Sequence, residues 1–168
     1  MSAIRAGVVL DSINKIGWAD ATSRLTMAEA AVKLIADVSG ISMEQIAAER
    51  NWDLTRNVFS DTDSRYVNFL AYAGVTSGVG YGKYSPDSSA TRAQIVTIIG
   101  RMGEAFFGET AQGPHPFTDV PDWAAPYVGY AVNKGITSGT SRTKFSADST
   151  LQNQHTAIFA YKAYLAWR

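Results

Sequence analysis

Four motifs within residues 59–87 decide the fold: Phe59-Ser-Asp-Thr62, Tyr66-Val-Asn-Phe69, Gly74-Val-Thr-Ser-Gly78 and Lys83-Tyr-Ser-Pro-Asp87. They return in the same order as Phe117-Thr-Asp-Val120, Tyr127-Val-Gly-Tyr130, Gly135-Ile-Thr-Ser-Gly139 and Lys144-Phe-Ser-Ala-Asp148. The last three motifs recur after 61 residues and the first after 58, which places a three-residue insertion around Pro121-Asp-Trp123. Ordered matches in one register indicate tandem repeats of one supersecondary unit.

Each repeat is predicted to form a short helix, a glycine-rich turn and a longer helix. The apolar positions of the short helix recur at helical spacing and are Tyr66, Phe69, Leu70 and Ala73. Asp61 or Asp63 is expected to cap this helix, and Gly74 to end it, because glycine tolerates the left-handed conformation of a C-terminal cap. The third repeat follows the same plan up to Gly135.

The longer helix of each repeat is predicted to build the core. In the second repeat, Ser88 or Ser89 is its expected cap. Its predicted core positions are Ile95, Ile98, Ile99, Met102 and Phe106, and those of the third repeat are Ile158, Phe159, Tyr161, Leu165 and Trp167. Helix pairs of this size do not bury their apolar faces alone, so the repeats are expected to share one core.

Residues 1–40 resemble a degenerate first copy of the repeat. One helix is predicted over residues 4–16, ending at Gly17, and a second one opens at Leu25-Thr-Met-Ala-Glu29 and ends at Gly40. The glycine-rich turn is missing from this copy. The predicted organisation is therefore one all-α domain over residues 1–168, with pseudo-threefold repeats around a central helical bundle. Its parts are repeat 1 (1–40), a bridging helix (42–57), repeat 2 (59–108) and repeat 3 (117–168).

The composition excludes several classes of protein. The chain has 168 residues, 15 basic and 15 acidic side chains and no cysteine. Disulfides, thiolate metal sites and cysteine nucleophiles are therefore excluded, and a balanced charge argues against a nucleic-acid partner. No apolar run is long enough to insert into a membrane, and the first ten residues lack the pattern of a secretory signal peptide.

Catalytic, cofactor and metal motifs are not found. The stretch Gly78-Val-Gly-Tyr-Gly-Lys83 is not a phosphate-binding loop, because no Ser or Thr follows the lysine and no buried strand is predicted before it. His115 and His155 are 40 residues apart and form no metal-binding pattern. The sequence therefore predicts a protein that is not an enzyme, with no catalytic residue, no bound metal and no cofactor.

These repeats resemble the S-layer homology family. Its hallmarks are an opening Phe-x-Asp-Val, a central Gly-Ile-x-x-Gly, a Phe-x-Pro and a Thr-Arg-Ala-Glu at the start of the long helix. The second repeat has Tyr84-Ser-Pro86 and Thr91-Arg-Ala-Gln94 at the last two positions, and the third repeat keeps Phe117-Thr-Asp-Val120 and Gly135-Ile-Thr-Ser-Gly139. The resemblance covers residues 59–168 well and residues 1–40 weakly.

The resemblance implies a module that holds proteins on Gram-positive-type cell walls. The implied ligand is a secondary cell-wall polysaccharide, often carrying a pyruvate ketal, bound in grooves between repeats. An arginine in the first turn of a helix offers a planar fork of donors to a carboxylate, and the helix N-terminus adds partial positive charge. The expected location is the cell wall or cell surface.

Only one of the three predicted repeats has an arginine at the position of the family's motif arginine. Its predicted position holds Arg92 in repeat 2, Met27 in repeat 1 and Asn153 in repeat 3. The glutamate of the motif is predicted to survive only as Glu29. On this alignment one groove at most retains the anion-binding arginine.

The candidate ligand-binding residues follow from these motifs. They are Arg92, Lys83, Ser77, Gly78 and Tyr81, with the matched residues Lys144, Ser138 and Gly139 of the third repeat. Arg92 is expected to pair with an anionic substituent, while Lys83, Ser77 and Tyr81 shape the groove. The alternative for Arg92 is an ion pair with Asp87 or Glu104. Trp123 is expected to pack beneath the opening turn of its repeat.

Two functions remain open from the sequence. The first is a cell-wall anchoring module, carried by a larger parent protein or an S-layer assembly. The second is a structural or protein-interaction module with the same fold, such as a virion-surface protein that decorates the particle or attaches it to its host. The eroded motifs, the start at Met1 and the missing signal peptide favour the second function.

Overall fold

The computed structural model describes residues 17–168, where six α-helices are joined by turns. They are α1 (Arg24–Ser39), α2 (Met43–Glu49), α3 (Arg65–Tyr72), α4 (Arg92–Phe106), α5 (Ala125–Asn133) and α6 (Asn153–Trp167). The β-type pairing in this range is limited to isolated bridges, so the prediction of a mainly helical fold is confirmed. The helix predicted over residues 4–16 lies outside the described residues.

The long helices α1, α4 and α6 pack against one another at the centre of the molecule. Their buried apolar side chains include Leu34, Ile35, Ile95, Ile99, Met102 and Phe159. The short helix α3 packs on α1, and α5 packs on α4. Each short helix therefore covers the outer side of a long one, which shields the shared core from water.

A ring of backbone hydrogen bonds joins the segments that precede the three long helices. The Thr22 N–H donates to the Leu151 carbonyl at 2.8 Å, the Leu151 N–H to the Ala90 carbonyl at 3.4 Å, and the Ala90 N–H to the Thr22 carbonyl at 2.8 Å. Each segment donates to one neighbour and accepts from the other. The long helices consequently start around an approximate threefold axis.

A second ring of backbone hydrogen bonds shows which residues of the three long helices hold equivalent positions. The backbone N–H groups of Arg24, Arg92 and Asn153 donate to the carbonyls of Ser88, Ser149 and Asp20, respectively, over 2.8–2.9 Å. Each donor is the first residue of its long helix. Arg24 therefore occupies in α1 the position that Arg92 occupies in α4.

The motif aspartates hold the turns rather than the short helices. The Asp61 carboxylate accepts hydrogen bonds from the Tyr84 and Ser85 N–H groups, both at 2.8 Å. These backbone donors lower the pKa of Asp61 below its ordinary value. The prediction that Asp61 or Asp63 caps α3 is wrong, because the side chain of Ser64 accepts from the Val67 N–H and takes that role.

The second glycine of each turn motif makes room for the opening phenylalanine. Gly78 has φ +74°, and a Cβ there would overlap the Phe59 ring and the Lys83 carbonyl. A Cβ on Gly139 would likewise overlap the Phe117 ring. These glycines let each aromatic ring pack directly under its turn, which gives them a structural role.

The long helices begin with different caps. Thr91 and Gln94 form a reciprocal capping box at the start of α4, so the predicted cap at Ser88 or Ser89 is wrong. Ser23 caps α1, whereas Gln152 makes no side-chain capping bond at the start of α6. The predicted end of α1 at Gly40 is confirmed by its left-handed backbone.

The bridging helix is shorter than predicted. The expected helix over residues 42–57 is observed only as α2, which a capping box between Ser42 and Gln45 begins. The chain then turns through Asn51, whose φ is +56°. Trp52 leaves the helix and stacks on Tyr72 with a centroid distance of 6.0 Å. The helix therefore ends before the left-handed turn at Asn51, and the indole of Trp52 packs on α3.

Two predicted core residues of α6 lie at the surface. Ile158 is 46% exposed and Leu165 is 52% exposed, while Phe159, Ala160 and Ala163 are buried. Counted from the helix starts, Ile158 holds the position that Thr97 holds in α4. Thr97 is only 4% exposed at this position, so the neighbouring elements cover equivalent positions of α4 and α6 unequally.

Candidate functional site

The candidate site is an open groove between the first two helical units, named here the Arg24 groove. Its volume is about 450 Å³, within the roughly 300–1,000 Å³ typical of small-molecule sites. Arg24 lines one side and the turn residues 76–79 line another. The α4 side chains Gln94, Thr97 and Arg101 and the indole of Trp123 complete the wall. The groove thus combines cations, hydroxyl groups and one large aromatic ring.

Arg24 is fixed against an aromatic residue of the second repeat. It is 5% exposed, and its guanidinium carbon lies 4.6 Å from the centroid of the Tyr84 ring. Its Nε donates to the Tyr84 carbonyl at 2.8 Å, and the Tyr84 hydroxyl donates to the Arg24 carbonyl at 2.9 Å. Burial raises the pKa of Tyr84 to about 12, so this hydroxyl keeps its proton. Within residues 17–168, Nη1 and Nη2 of Arg24 have no hydrogen-bond partner.

The charge of Arg24 is not balanced by a neighbouring acid in the described part of the chain. The ion pairs between residues 17 and 168 join Lys33 to Asp37, Arg65 to Glu44 and Lys134 to Glu109. Buried arginines are ordinarily paired with an anion, because removing a charge from water is unfavourable. Arg24 is an almost fully buried residue that lines an open groove and has no carboxylate partner within residues 17–168, and it is therefore suited to an anionic ligand.

Arg92 has a similar position but uses its donors differently. Its Nη2 donates to the Thr137 hydroxyl at 2.9 Å and to the Ser138 carbonyl at 2.6 Å. Its guanidinium carbon lies 4.7 Å from the Phe145 ring centroid and 5.2 Å from that of Phe159. Desolvation lowers the pKa of Arg92 below its ordinary value. Arg92 therefore fastens the turn of the third repeat to the second, and the interface between these two repeats is named here the Arg92 groove by analogy with the Arg24 groove.

Asn153 occupies the third equivalent position and brings no charge. Its Nδ2 donates to the Gly17 carbonyl at 2.9 Å, and the residue is fully buried. Counted from the helix starts, Glu29 of α1 corresponds to Thr97 of α4. The third interface thus combines a neutral amide with a carboxylate, which is unfavourable for an anion.

The predicted alignment of the motif arginine is wrong for the first unit. The ring of backbone bonds equates Arg24, not Met27, with Arg92. Met27 is 3% exposed and belongs to the core. The residue equivalent to Gln94 and His155 is Thr26, so Glu29 does not hold the position of the motif glutamate. Two helix starts therefore keep the arginine.

The predicted ligand-binding residues are divided between two grooves. Ser77 and Gly78 line the Arg24 groove, and not the groove of Arg92. Ser138 belongs instead to the turn that Arg92 holds, through its carbonyl. Gly139 follows it in the same turn, beneath which the Phe117 ring packs. The predicted combination of Arg92 with Ser77 in one groove is therefore wrong.

The lysines and the tyrosine of the turns lie at the surface. Lys83 and Lys144 are exposed, and Tyr81 is fully exposed with φ +53°. Tyr81 and Lys83 are not among the residues that line the Arg24 groove. The ion pair of Arg92 with Asp87 or Glu104, considered as its alternative role, is also not observed in the described chain.

Trp123 is a groove residue and not a buried one. The indole is 51% exposed and lines the Arg24 groove, so the prediction that it packs beneath the turn is wrong. The Pro121 carbonyl accepts from the Ala124 and Ala125 N–H groups at 2.9 and 3.1 Å and closes a tight turn. Ala124 takes the buried position in this turn, which leaves the indole at the surface.

Sequence reasoning missed Arg24, Thr97 and Arg101. A signal for Arg24 exists in the sequence: Ser23-Arg24 and Thr91-Arg92 both place a capping hydroxyl directly before the arginine. Thr97 and Arg101 lie three and seven residues after Gln94, on one side of α4. That this side of α4 lines a groove can be recognised only from the structure.

Comparison with known proteins identifies the repeats. The S-layer homology domain matches residues 59–96 and 116–151, so the chain carries two tandem S-layer homology repeats. The match does not extend to residues 1–40, and the description of that segment as a first repeat stays a prediction.

Two longer proteins are similar to parts of this sequence. A cell surface protein of Thermoanaerobacter kivui is 33% identical over 140 residues, which is 78% of this chain and 18% of that protein. An endoglucanase of a Bacillus species is 28% identical over 100 residues, which is 59% of this chain and 10% of the enzyme. The chain thus spans less than a fifth of the length of either relative.

Residues 17–168 contain neither a membrane-spanning helix nor a cluster of metal-ligating side chains. None of the helices in this range has the length and apolar character needed to cross a membrane. The same range contains no group of three or more His, Asp or Glu side chains placed to hold a metal ion.

Proposed function

We propose that the chain is a non-catalytic module that anchors a protein at the bacterial cell surface by binding an anionic secondary cell-wall polysaccharide. The S-layer homology repeats and the similarity to a cell surface protein support an anchoring role. One observation carries the choice of ligand: Arg24 is almost fully buried beside an open groove, with no carboxylate partner in the described chain. An anionic sugar substituent, such as a pyruvate ketal, supplies the missing charge.

The Arg24 groove is the principal site in this proposal. The two terminal nitrogens of Arg24 form a planar fork that matches the two oxygens of a carboxylate. The Nε bond to Tyr84 and the contact with its ring keep the fork in place before the ligand arrives, which reduces the entropy lost on binding. Ser77 offers a hydroxyl group to the sugar, and Gly78 leaves its backbone accessible.

The Arg92 groove is a second and weaker site. Arg92 already donates two hydrogen bonds through Nη2, so fewer of its donors are available to a ligand than those of Arg24. The third interface, with Asn153 and Glu29, is not expected to bind an anion. The module therefore binds its polymer unequally through the three interfaces.

The parent protein is part of the same proposal. Because the chain spans a small fraction of its relatives, we infer that it serves as the wall-binding part of a larger surface assembly. The similarity to the endoglucanase covers a tenth of that enzyme and lends no support to a catalytic role for this chain.

Retention on purified Gram-positive sacculi tests the proposal. The wild-type chain is expected to sediment with intact sacculi and to stay in solution after hydrofluoric acid has stripped the secondary polymer. A Tyr81→Ala variant, which changes an exposed aromatic ring outside the Arg24 groove, serves as a control and is expected to be retained like the wild type. Lack of retention on a panel of walls would reject wall binding and favour the role in a virion or other assembly.

A further inference from the structure

The Arg24 groove is longer than one sugar residue. Gln94, Thr97 and Arg101 line it from successive turns of α4. Seven residues separate Gln94 from Arg101, which corresponds to roughly 10 Å along the helix axis at about 1.5 Å per residue. The wall that α4 contributes to the groove therefore extends over about two helical turns, from Gln94 to Arg101.

Thr97 has an unsatisfied hydroxyl group in this part of the groove. The residue is 4% exposed, and its Oγ1 has no hydrogen-bond partner in the described chain. A threonine inside a helix commonly bonds back to the carbonyl one turn earlier, and buried polar atoms are ordinarily satisfied. The orphaned hydroxyl lies just beneath the wall of an open groove, where rotation about its χ1 angle would bring it to a ligand group that completes its hydrogen bonding.

Arg101 adds a second cation at the far end. Its Nε lies 3.4 Å from the Tyr127 hydroxyl and its Nη1 lies 3.3 Å from the Val75 carbonyl, so both hydrogen bonds are long. Its guanidinium carbon lies 5.5 Å from the centroid of the Tyr127 ring. As with Arg24, no ion pair engages it within residues 17–168. These contacts hold the side chain along the wall and leave donors for a ligand.

Trp123 supplies an exposed aromatic face to the same groove. It belongs to the three-residue insertion that distinguishes repeat 3 from repeat 2, and it reaches a groove formed mainly by the other two units. The apolar face of a pyranose ring packs well on an indole. A half-exposed tryptophan beside two arginines and an orphaned hydroxyl is consequently suited to a sugar.

We propose that Thr97, Arg101 and Trp123 form a second subsite that binds the sugar residue adjacent to the anionic one. The inference rests on the proposed function and adds that the module recognises at least a disaccharide. The anionic residue contacts Arg24, and its neighbour packs on Trp123 with its hydroxyl groups directed to Thr97 and Arg101. The insertion in repeat 3 thereby sets the length of glycan that the groove selects.

Length-resolved fragments of the native polymer test this subsite. The secondary polymer is released from sacculi that retain the protein, and fragments of one, two and three sugar residues are titrated calorimetrically. We expect at least a tenfold gain in affinity from one residue to two, and little gain from a third. Equal affinity for one and two residues would overturn the second subsite while leaving wall binding intact. Lack of retention on the sacculi would reject the proposed function itself, and the subsite with it.

Matched variants separate recognition from folding. Arg101→Ala and Trp123→Ala are expected to abolish most of the gain in affinity from one residue to two, measured within each variant as the ratio of the two affinities. Lys162→Ala is the control, because Lys162 holds the position of Arg101 in α6. Thr97→Val keeps the shape of the side chain and removes only the orphaned hydroxyl. It is expected to fold with unchanged or higher thermal stability and to bind the disaccharide at least threefold more weakly. An unchanged length dependence in all three groove variants would contradict the assignment.

Discussion

Replacing Arg24 by lysine separates the charge of this residue from its geometry. Arg24→Lys keeps a cation and most of the aliphatic stem, but it replaces a planar fork with a single ammonium group. Arg24 offers two terminal nitrogens that have no partner between residues 17 and 168. The variant is therefore expected to lose one charge-assisted hydrogen bond to the ligand carboxylate.

The size of this effect follows from the strength of such bonds. A hydrogen bond to a charged group contributes about 1.5–3 kcal/mol, and about 1.4 kcal/mol corresponds to a tenfold change in affinity. Arg24→Lys should weaken binding by about 10- to 150-fold. The variant also loses the Nε bond to the Tyr84 carbonyl, so its free energy of unfolding should fall by about 0.5–1.5 kcal/mol.

Arg92→Lys is the matched comparison, and it should lower the free energy of unfolding while leaving the affinity for the polymer nearly unchanged. It removes the bonds from Nη2 to the Thr137 hydroxyl and the Ser138 carbonyl, so its stability should fall by about 1–3 kcal/mol. Its affinity for the released polymer should change by less than about threefold. Calorimetric titration gives the affinities, and urea denaturation gives the free energies of unfolding. An unchanged affinity in Arg24→Lys, or a larger loss in Arg92→Lys, would refute the assignment of Arg24 as the principal ligand arginine.

Three further predictions follow from the turns. Backbone N–H groups of Phe145 and Ser146 lower the pKa of Asp119, so its contribution to stability is full above pH 4 and is lost as pH falls through the lowered value. Denaturation across pH 2–7 should thus show Asp119→Asn less stable than wild type at pH 7, with the difference shrinking below about pH 4. Gly139→Ala should lower the free energy of unfolding by about 1–3 kcal/mol, because the new methyl group overlaps the Phe117 ring; an unchanged urea midpoint would contradict this packing. Tyr81→Ala should change stability by less than about 0.5 kcal/mol and leave retention on sacculi intact; lost retention would return Tyr81 to the binding surface.

The helices of the repeats could be predicted because their signals are local. The apolar stripes of the second and third repeats, and the glycines that follow the helices, depend on contacts within a few residues. Gly40 ends α1 as expected for this reason. The exposure of Ile158 on α6 could not be predicted, because it depends on which side of the helix meets a neighbouring unit.

The site was predicted less well because its residues meet across units. The sequence of the predicted first repeat has no glycine-rich turn, so its spacing gives no reference point for aligning it with the other repeats. Leu25-Thr-Met-Ala-Glu29 also resembles the family motif, which favours the wrong alignment. Only the backbone ring between units shows that Arg24 is the equivalent of Arg92. Asp61 was expected at a helix cap for the same reason, since its partners at Tyr84 and Ser85 lie more than twenty residues away.

Nitrogen-15 NMR of the arginine side chains tests the central claim most directly. The Nε–H resonances of Arg24 and Arg92 can be followed while polymer released from sacculi is added, with the side-chain amide of Asn153 as an internal control. The account predicts a large, saturable shift of Arg24, a smaller shift of Arg92 at higher concentration and an unmoved Asn153. Saturable binding of the polymer with Arg24 unmoved would contradict the account.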